Sequence, residues 1–129
     1  MRLLLDTHIL LWAVNEPHRV SAAAERAVMA VENELFVSAI SSYEIANKYR
    51  LGKLPQCEVI VEAWPELIET IGASTMDLTS RHCYVAARLD WQHRDPFDRM
   101  LAAQAMLEGL TLVSSDTTFS TLPGLSLLW

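Results

Sequence analysis

Four acidic residues carry the chemistry that this sequence offers. Asp6 follows the apolar run Leu3-Leu4-Leu5, Glu44 follows the serine pair Ser41-Ser42, Asp98 lies just past Asp95-Pro96, and Asp116 comes after Leu110 to Ser114. Each has an ordinary structural use when taken singly. Asp6 suits the cap of a first helix, and Glu44 completes a Ser41-x-x-Glu44 capping box. Asp98 can play the same part after Asp95, and Asp116 can open a turn. Taken together these uses weaken, because all four fall near the ends of elements that meet at one edge of a parallel sheet. Carboxylates gathered there repel one another, and a divalent cation neutralises them. A ligand set made only of oxygens points to Mg²⁺ or Mn²⁺ rather than zinc. Such an ion activates water and stabilises charge on a phosphodiester.

The elements that must position these residues follow from the apolar patterning. Leu3 to Leu5 is a continuous apolar run, as in a strand buried on both faces. Thr7 to Val14 forms a short helix, stopped at Asn15-Glu16-Pro17-His18. Ser21 caps an Ala-rich helix to about Val31. Glu34 to Ser38 is a second strand, and a helix opens at Ser41 and ends near Gly52, followed by Pro55. Ile60, Trp64, Leu67, Ile68 and Ile71 share one face of an amphipathic stretch from Glu58, with a kink or two short helices expected at Pro65. Ala73 to Leu78 is a third strand, and Thr79 caps a helix to Leu89. Trp91 to Arg94 is a loop. Asp95 caps a long helix that runs from Pro96 to Glu108 and ends at Gly109. Leu110 to Ser114 and Leu125 to Leu128 are the last strands, separated by a turn through Phe119 and another at Pro123-Gly124. Strands alternating with helices predict an α/β fold, a three-layer sandwich with a central, mostly parallel sheet.

The chain has 129 residues, half of them apolar, which suits one domain spanning 1–129. No apolar stretch is long enough for a membrane span, and the start lacks a secretory pattern, so a soluble, cytoplasmic protein is expected. Cys57 and Cys83 are spaced for neither a metal site nor a framework and read as reduced thiols. The net charge of −6 argues against strong non-specific nucleic-acid binding. Charge is unevenly spread, however. Leu54 to Ser80 holds five carboxylates and no Lys or Arg, whereas Lys48, Arg50 and Lys53 cluster just before it.

Four segments in order, LLLDTHILLW, SAISSYEIANKYRLGKL, HRDPFDRMLAAQA and LVSSDTTF with PGLSLLW, give the chain a resemblance that runs nearly end to end. It resembles a PIN-domain ribonuclease, specifically a VapC-type toxin of a toxin–antitoxin pair. The resemblance implies a metal-dependent endoribonuclease that hydrolyses RNA by a metal-activated water, without a covalent enzyme intermediate. It implies that Asp6, Glu44, Asp98 and Asp116 hold Mg²⁺ or Mn²⁺, with Asp95 acting at one remove. It also implies homodimers and a cognate antitoxin protein that blocks the site.

Around these carboxylates, the hydroxyls of Thr7 and Ser114 are expected to bind water or phosphate. Arg99 either orients a carboxylate, meets a substrate phosphate, or makes a surface salt bridge. His8 is expected to point away from Asp6, packed or partly exposed. The four tryptophans are expected in the core or an interface. The Lys48–Lys53 cluster either tracks RNA phosphates or favours its helix's negative end. An antitoxin peptide would carry an arginine into the acidic pocket. Its groove would be walled by Ile45, Tyr49, Leu51 and Trp64. Two rival functions stand beside the ribonuclease. A phosphatase with an aspartate nucleophile needs a second aspartate where His8 stands. A non-catalytic PIN-like interaction module would be expected to lack the acidic positions, and all four are present.

Overall fold

The computed structural model describes residues 1–54 and 57–129; Pro55, expected to follow the third helix, lies outside the described residues. Five strands form one sheet in the order β3-β2-β1-β4-β5. They are β1 (Arg2–Leu5), β2 (Glu34–Ser38), β3 (Ala73–Met76), β4 (Thr111–Val113) and β5 (Leu127–Leu128). Every pairing between neighbours is parallel, so the expected α/β architecture holds without an antiparallel edge. β1 is the centre: Leu3 pairs with Leu35 on one side and Thr111 on the other. That place explains its uninterrupted apolar run, since a central strand covered on both faces has no solvent side.

Alternation along the strands divides the interior into two cores. Leu3 and Leu5 of β1, with Leu35, Val37 and Val113, face one layer. It is built from α1 (Thr7–Asn15), α2 (Ala22–Met29), α4 (Glu58–Glu62) and α5 (Trp64–Thr70). Leu4 and Leu112 face the other, against Leu101, Ala102 and Ala105 of α7 (Pro96–Glu108), with α6 (Ser80–Arg88) packed on α7. Small residues at 102 and 105 let α7 approach the sheet closely. Leu3 and Leu4 are completely buried; replacing either by alanine removes about 2–5 kcal/mol of stability.

Several boundaries differ from the sequence expectation, for local reasons. The helix after β2, α3 (Ala39–Arg50), starts two residues earlier than expected, because Ser38 rather than Ser41 is its cap. The Ser38 hydroxyl accepts the Ile40 N–H at 3.1 Å. The proposed capping box of Ser41 and Glu44 therefore does not form, and both side chains are released for other contacts. The Glu58–Ile71 stretch breaks at Ala63, two residues before Pro65, because proline is tolerated in the first turn of the helix that follows. The third, fourth and fifth strands are shorter than the ranges expected from the sequence. Thr79 caps α6 as expected, and His82 Nδ1 closes the box by accepting the Thr79 N–H at 3.0 Å. Asp95 caps α7 through the N–H groups of Phe97 and Asp98, and Gly109 ends it at φ 64°.

Candidate active site

β1 and β4 end side by side, and their ends carry Asp6 and Ser114. The Asp6 N–H donates to the Val113 carbonyl at 3.1 Å, so the sheet's hydrogen bonding continues to the site's edge. Asp6 occupies the cap position of α1, yet its side chain accepts no N–H of that helix. Instead its Oδ2 accepts the Ser114 hydroxyl at 2.7 Å, in a place where Asp6 is only 5% exposed. The simple capping role thus does not describe Asp6. A buried carboxylate costs free energy unless hydrogen bonds or a cation compensate it, and one hydroxyl is a modest compensation. Ser114 is committed twice, since its Oγ also accepts the Asp116 N–H at 3.1 Å. Thr7 is equally committed: its hydroxyl donates to Ser41 Oγ at 2.8 Å in a buried contact between α1 and α3. Through these contacts both hydroxyls hold the site's walls together.

Glu44 lies one turn into α3 and is buried; Lys48, one turn later, reaches its Oε2 at 3.2 Å. The Glu-to-Lys spacing of four is the helical pairing distance, and it was readable in the sequence. Lys48 thus meets a site carboxylate directly.

Asp98 stands in the first turn of α7, whose start is fixed by the Asp95 cap and Pro96. Its Oδ2 lies 2.7 Å from His93 Nε2. Burial pushes the Asp98 carboxyl up from 3.8 to about 6; the His93 hydrogen bond opposes this, and the Asp95 and Asp6 carboxylates add to it. Influence from Asp6 puts these two acids in one electrostatic environment although 92 residues separate them. His93 was not singled out by the sequence reading. Its one signal was a position just ahead of a strongly capped helix.

Among the described residues Arg99 pairs with no carboxylate, so it neither orients one directly nor makes a surface salt bridge. Its guanidinium donates to five backbone carbonyls: Ala86 at 2.9 Å, Trp91 at 2.7 Å, His93 at 2.8 Å, Leu89 at 2.7 Å and, more weakly, Ala87 at 3.4 Å. It gathers the end of α6 and the loop to His93, thereby aiming His93 at Asp98. The loop borders a cleft of about 680 Å³ lined by Trp91, Gln92, His93, Arg94 and Arg99.

Asp116 keeps its bland role. It is exposed at the rim and caps a 3-10 turn by accepting the Thr118 N–H at 2.9 Å. That backbone bond holds its carboxyl below the usual range, with the positive charges of His93 and His8 adding to the effect. His8 is half-exposed and turns back toward Asp6, with Nδ1 3.8 Å from Oδ1, rather than pointing away. That contact is long for a hydrogen bond, yet it raises the imidazole above its ordinary value against the opposing effects of burial and Lys48. Glu44 contributes to the same rise, so Asp6, Glu44 and His8 share one field.

The donor set fits a hard divalent cation: carboxylate oxygens only, one of them on a buried aspartate and another on an aspartate whose ionisation is disfavoured. Among the described residues, no three acidic, histidine or cysteine side chains converge into a ready ligand cage. Three of the carboxylates have protein partners instead: Lys48 meets Glu44, His93 meets Asp98, and the Thr118 N–H meets Asp116.

Of the groove walls expected for a partner peptide, Leu51 is 50% exposed and Tyr49 is partly exposed, but the other two are closed off. Ile45 and Trp64 are buried, and the Trp64 indole donates to Ser42 Oγ at 2.6 Å, so neither offers apolar surface. An open cleft of about 500 Å³ lies instead beside α1, lined by His8, Leu11, Trp12, Arg19, Leu54 and Cys57.

A central parallel sheet of five strands flanked by helices is consistent with the family that the chain's sequence matches. The chain belongs to the PIN domain family, which matches residues 3–125. It is 34% identical over 115 residues to the ribonuclease VapC22 of Mycobacterium tuberculosis strain ATCC 25618 / H37Rv, covering 88% of this chain and 85% of that protein. In fold it is similar to VapBC2 from Rickettsia felis, solved bound to a promoter DNA fragment, with TM-score 0.70 and 19% identity over 99% of this chain and 98% of that one. It is likewise similar to DNA-bound VapBC from Salmonella typhimurium, with TM-score 0.68 and 16% identity over 99% and 97% of the two chains.

Proposed function

We propose that this single domain is a Mg²⁺- or Mn²⁺-dependent endoribonuclease acting as the toxin of a toxin–antitoxin pair. The observation that carries the reading is Asp6: a buried carboxylate at the end of the central strand that caps nothing and shares its field with Asp98. Similarity to a curated ribonuclease along most of the chain supports the substrate class.

Asp6, Glu44 and Asp98 would hold the ion, with Asp116 at the rim. The ion, when bound, activates water and neutralises charge on the phosphodiester. The chain's own part is to fix the carboxylates. Ser114 orients Asp6. The Asp95 cap sets the turn that presents Asp98, and Arg99 sets the loop that brings His93 to it. Lys48 and His93 hold Glu44 and Asp98, two of the groups that would bind the ion. Water is the nucleophile, and no side chain becomes covalently attached.

The antitoxin would place a basic side chain at the carboxylates and apolar ones in the cleft beside α1, against the partly exposed Trp12 and Leu54. A homodimer and a cytoplasmic setting complete the proposal; no helix among the described residues is long and apolar enough to cross a membrane. In the test, purified protein is incubated with single-stranded RNA in Mg²⁺, in Mn²⁺ and in EDTA, beside Asp6→Asn. Cleavage by the wild type only in the presence of metal is expected. Equal cleavage by Asp6→Asn, or full cleavage in EDTA, sinks the mechanism.

A further inference from the structure

Beside the carboxylates, α3 and α7 meet through two aromatic rings. Tyr43 precedes Glu44 and Phe97 precedes Asp98, and the ring centroids lie 5.9 Å apart at 35°. Phe97 is half-buried, whereas Tyr43 is 59% exposed. An exposed tyrosine alone is ordinary. This one is backed by a second ring, next to two candidate ligands, and it heads a stripe of suitable chemistry. Asn47 and Arg50 follow it at helical spacings of four and seven, so the three share a face of α3. Arg50 is exposed and its Nη2 donates to Asn47 Oδ1 at 2.7 Å. Among the described residues it has no carboxylate partner. Tyr43 and Arg50 are about 10 Å apart along the helix axis.

We propose that Tyr43, supported by Phe97, is a nucleobase-stacking platform for single-stranded RNA, and that Asn47 and Arg50 carry the same strand onward by contacting its backbone. The proposal rests on the ribonuclease reading and adds to it which residues hold the substrate. A chain of net charge −6 gains little from general electrostatic attraction to RNA. Stacking on an aromatic face does not depend on net charge and tolerates any base. A local cation then suffices to seat a phosphate. The other candidate occupant is a second copy of this chain. A two-fold contact centred here would bring the Arg50 cations of both copies toward each other, and like charges set close cost free energy.

The test measures binding of a fluorescein-labelled single-stranded oligoribonucleotide across a salt series. Asp98→Asn in Mg²⁺ serves as the non-cleaving parent, and Tyr43→Ala, Tyr43→Phe and Arg50→Gln are added to it. Tyr43→Ala should weaken binding about tenfold, the low-to-middle range for one stacked base, without changing the slope of log affinity against log salt. Tyr43→Phe, which keeps the ring, should bind like the parent. Arg50→Gln should reduce the slope by about 0.7, the value for one phosphate contact on a single strand. If Tyr43→Ala binds as tightly as the parent, the platform is wrong while the ribonuclease reading stands. If Tyr43→Ala dissociates an oligomer and the defect disappears at high protein concentration, the face is an interface between copies and the proposal is overturned. If the parent binds no RNA, the ribonuclease reading itself falls.

Discussion

Replacing Asp98 by asparagine should make the metal-free protein more stable while removing its RNA cleavage. The Asp98 carboxyl is raised from 3.8 to about 6. Because the folded form binds the proton more tightly than the unfolded chain, the stabilising contribution is complete below about pH 3.8. It is lost as pH rises through about 6, and above that the ionised group is a fixed cost. A shift of about two pH units corresponds to roughly 3 kcal/mol. The side chain is 20% exposed, so solvent screening reduces this, and we expect about 1–2 kcal/mol. Asparagine retains an oxygen to accept from His93 Nε2. The assay is urea unfolding in EDTA, comparing wild type with Asp98→Asn at pH 4 to 8. Taking the difference removes the titration of every other group. The variant's advantage should be near zero at pH 4 and reach its plateau by about pH 7. Adding Mg²⁺ should then restore stability to the wild type by mass action, and much less to the variant. A difference that does not vary with pH, or a variant destabilised at pH 7, would refute the account and leave Asp98 as a helix-start residue only.

Two further outcomes are expected. Arg99→Lys keeps the charge but loses the fork that serves five carbonyls. It should cost about 2 kcal/mol in urea unfolding and raise amide exchange between residues 87 and 93; a change under about 0.5 kcal/mol would show that the clamp adds nothing. Lys48→Gln removes the cation on Glu44 that, on the proposed reading, would compete with a metal ion. The Mg²⁺ concentration giving half the maximal rise in melting temperature should fall about fivefold, equivalent to about 1 kcal/mol for a partly exposed pair, and an unchanged or higher concentration would count against Glu44 as a ligand.

The sheet was readable in the sequence because burial writes itself into strands directly. A run such as Leu3-Leu4-Leu5 has few environments other than a central strand, and Asp95-Pro96 with Gly109 marks both ends of α7. The start of α3 was not readable, since Ser38, Ser41 and Ser42 are all competent caps. Tertiary contacts decide among them: Ser41 is taken by Thr7 and Ser42 by Trp64, which leaves Ser38. Arg99 was misread for a related reason. Its partners are carbonyls, which every residue has, so no pattern of side chains announces them. Lys48 on Glu44 was available from spacing alone. His93 on Asp98 was not, because a loop brings the two together.

The ionisation of the aspartates separates those that serve the backbone from those left for something else. Asp116 and Asp98 are the same residue type, and each stands at the start of a helical turn, yet their carboxyls are displaced in opposite directions. Asp116 is exposed and receives a backbone N–H, the environment of a satisfied cap. The N–H of Asp98 is received by Asp95, so Asp98 itself is excused from capping and is held, partly desolvated, near other acids. Asp6 repeats that arrangement, at a cap position with no N–H bonded to its side chain. A protein gains no stability from such placement, and two such residues meeting from opposite ends of the chain call for a common ligand. Ser114, Lys48 and His93 partly compensate the carboxylates of Asp6, Glu44 and Asp98. On the proposed reading the ion would therefore sit closest to Asp6 and Asp98, with Glu44 and Asp116 as its further ligands.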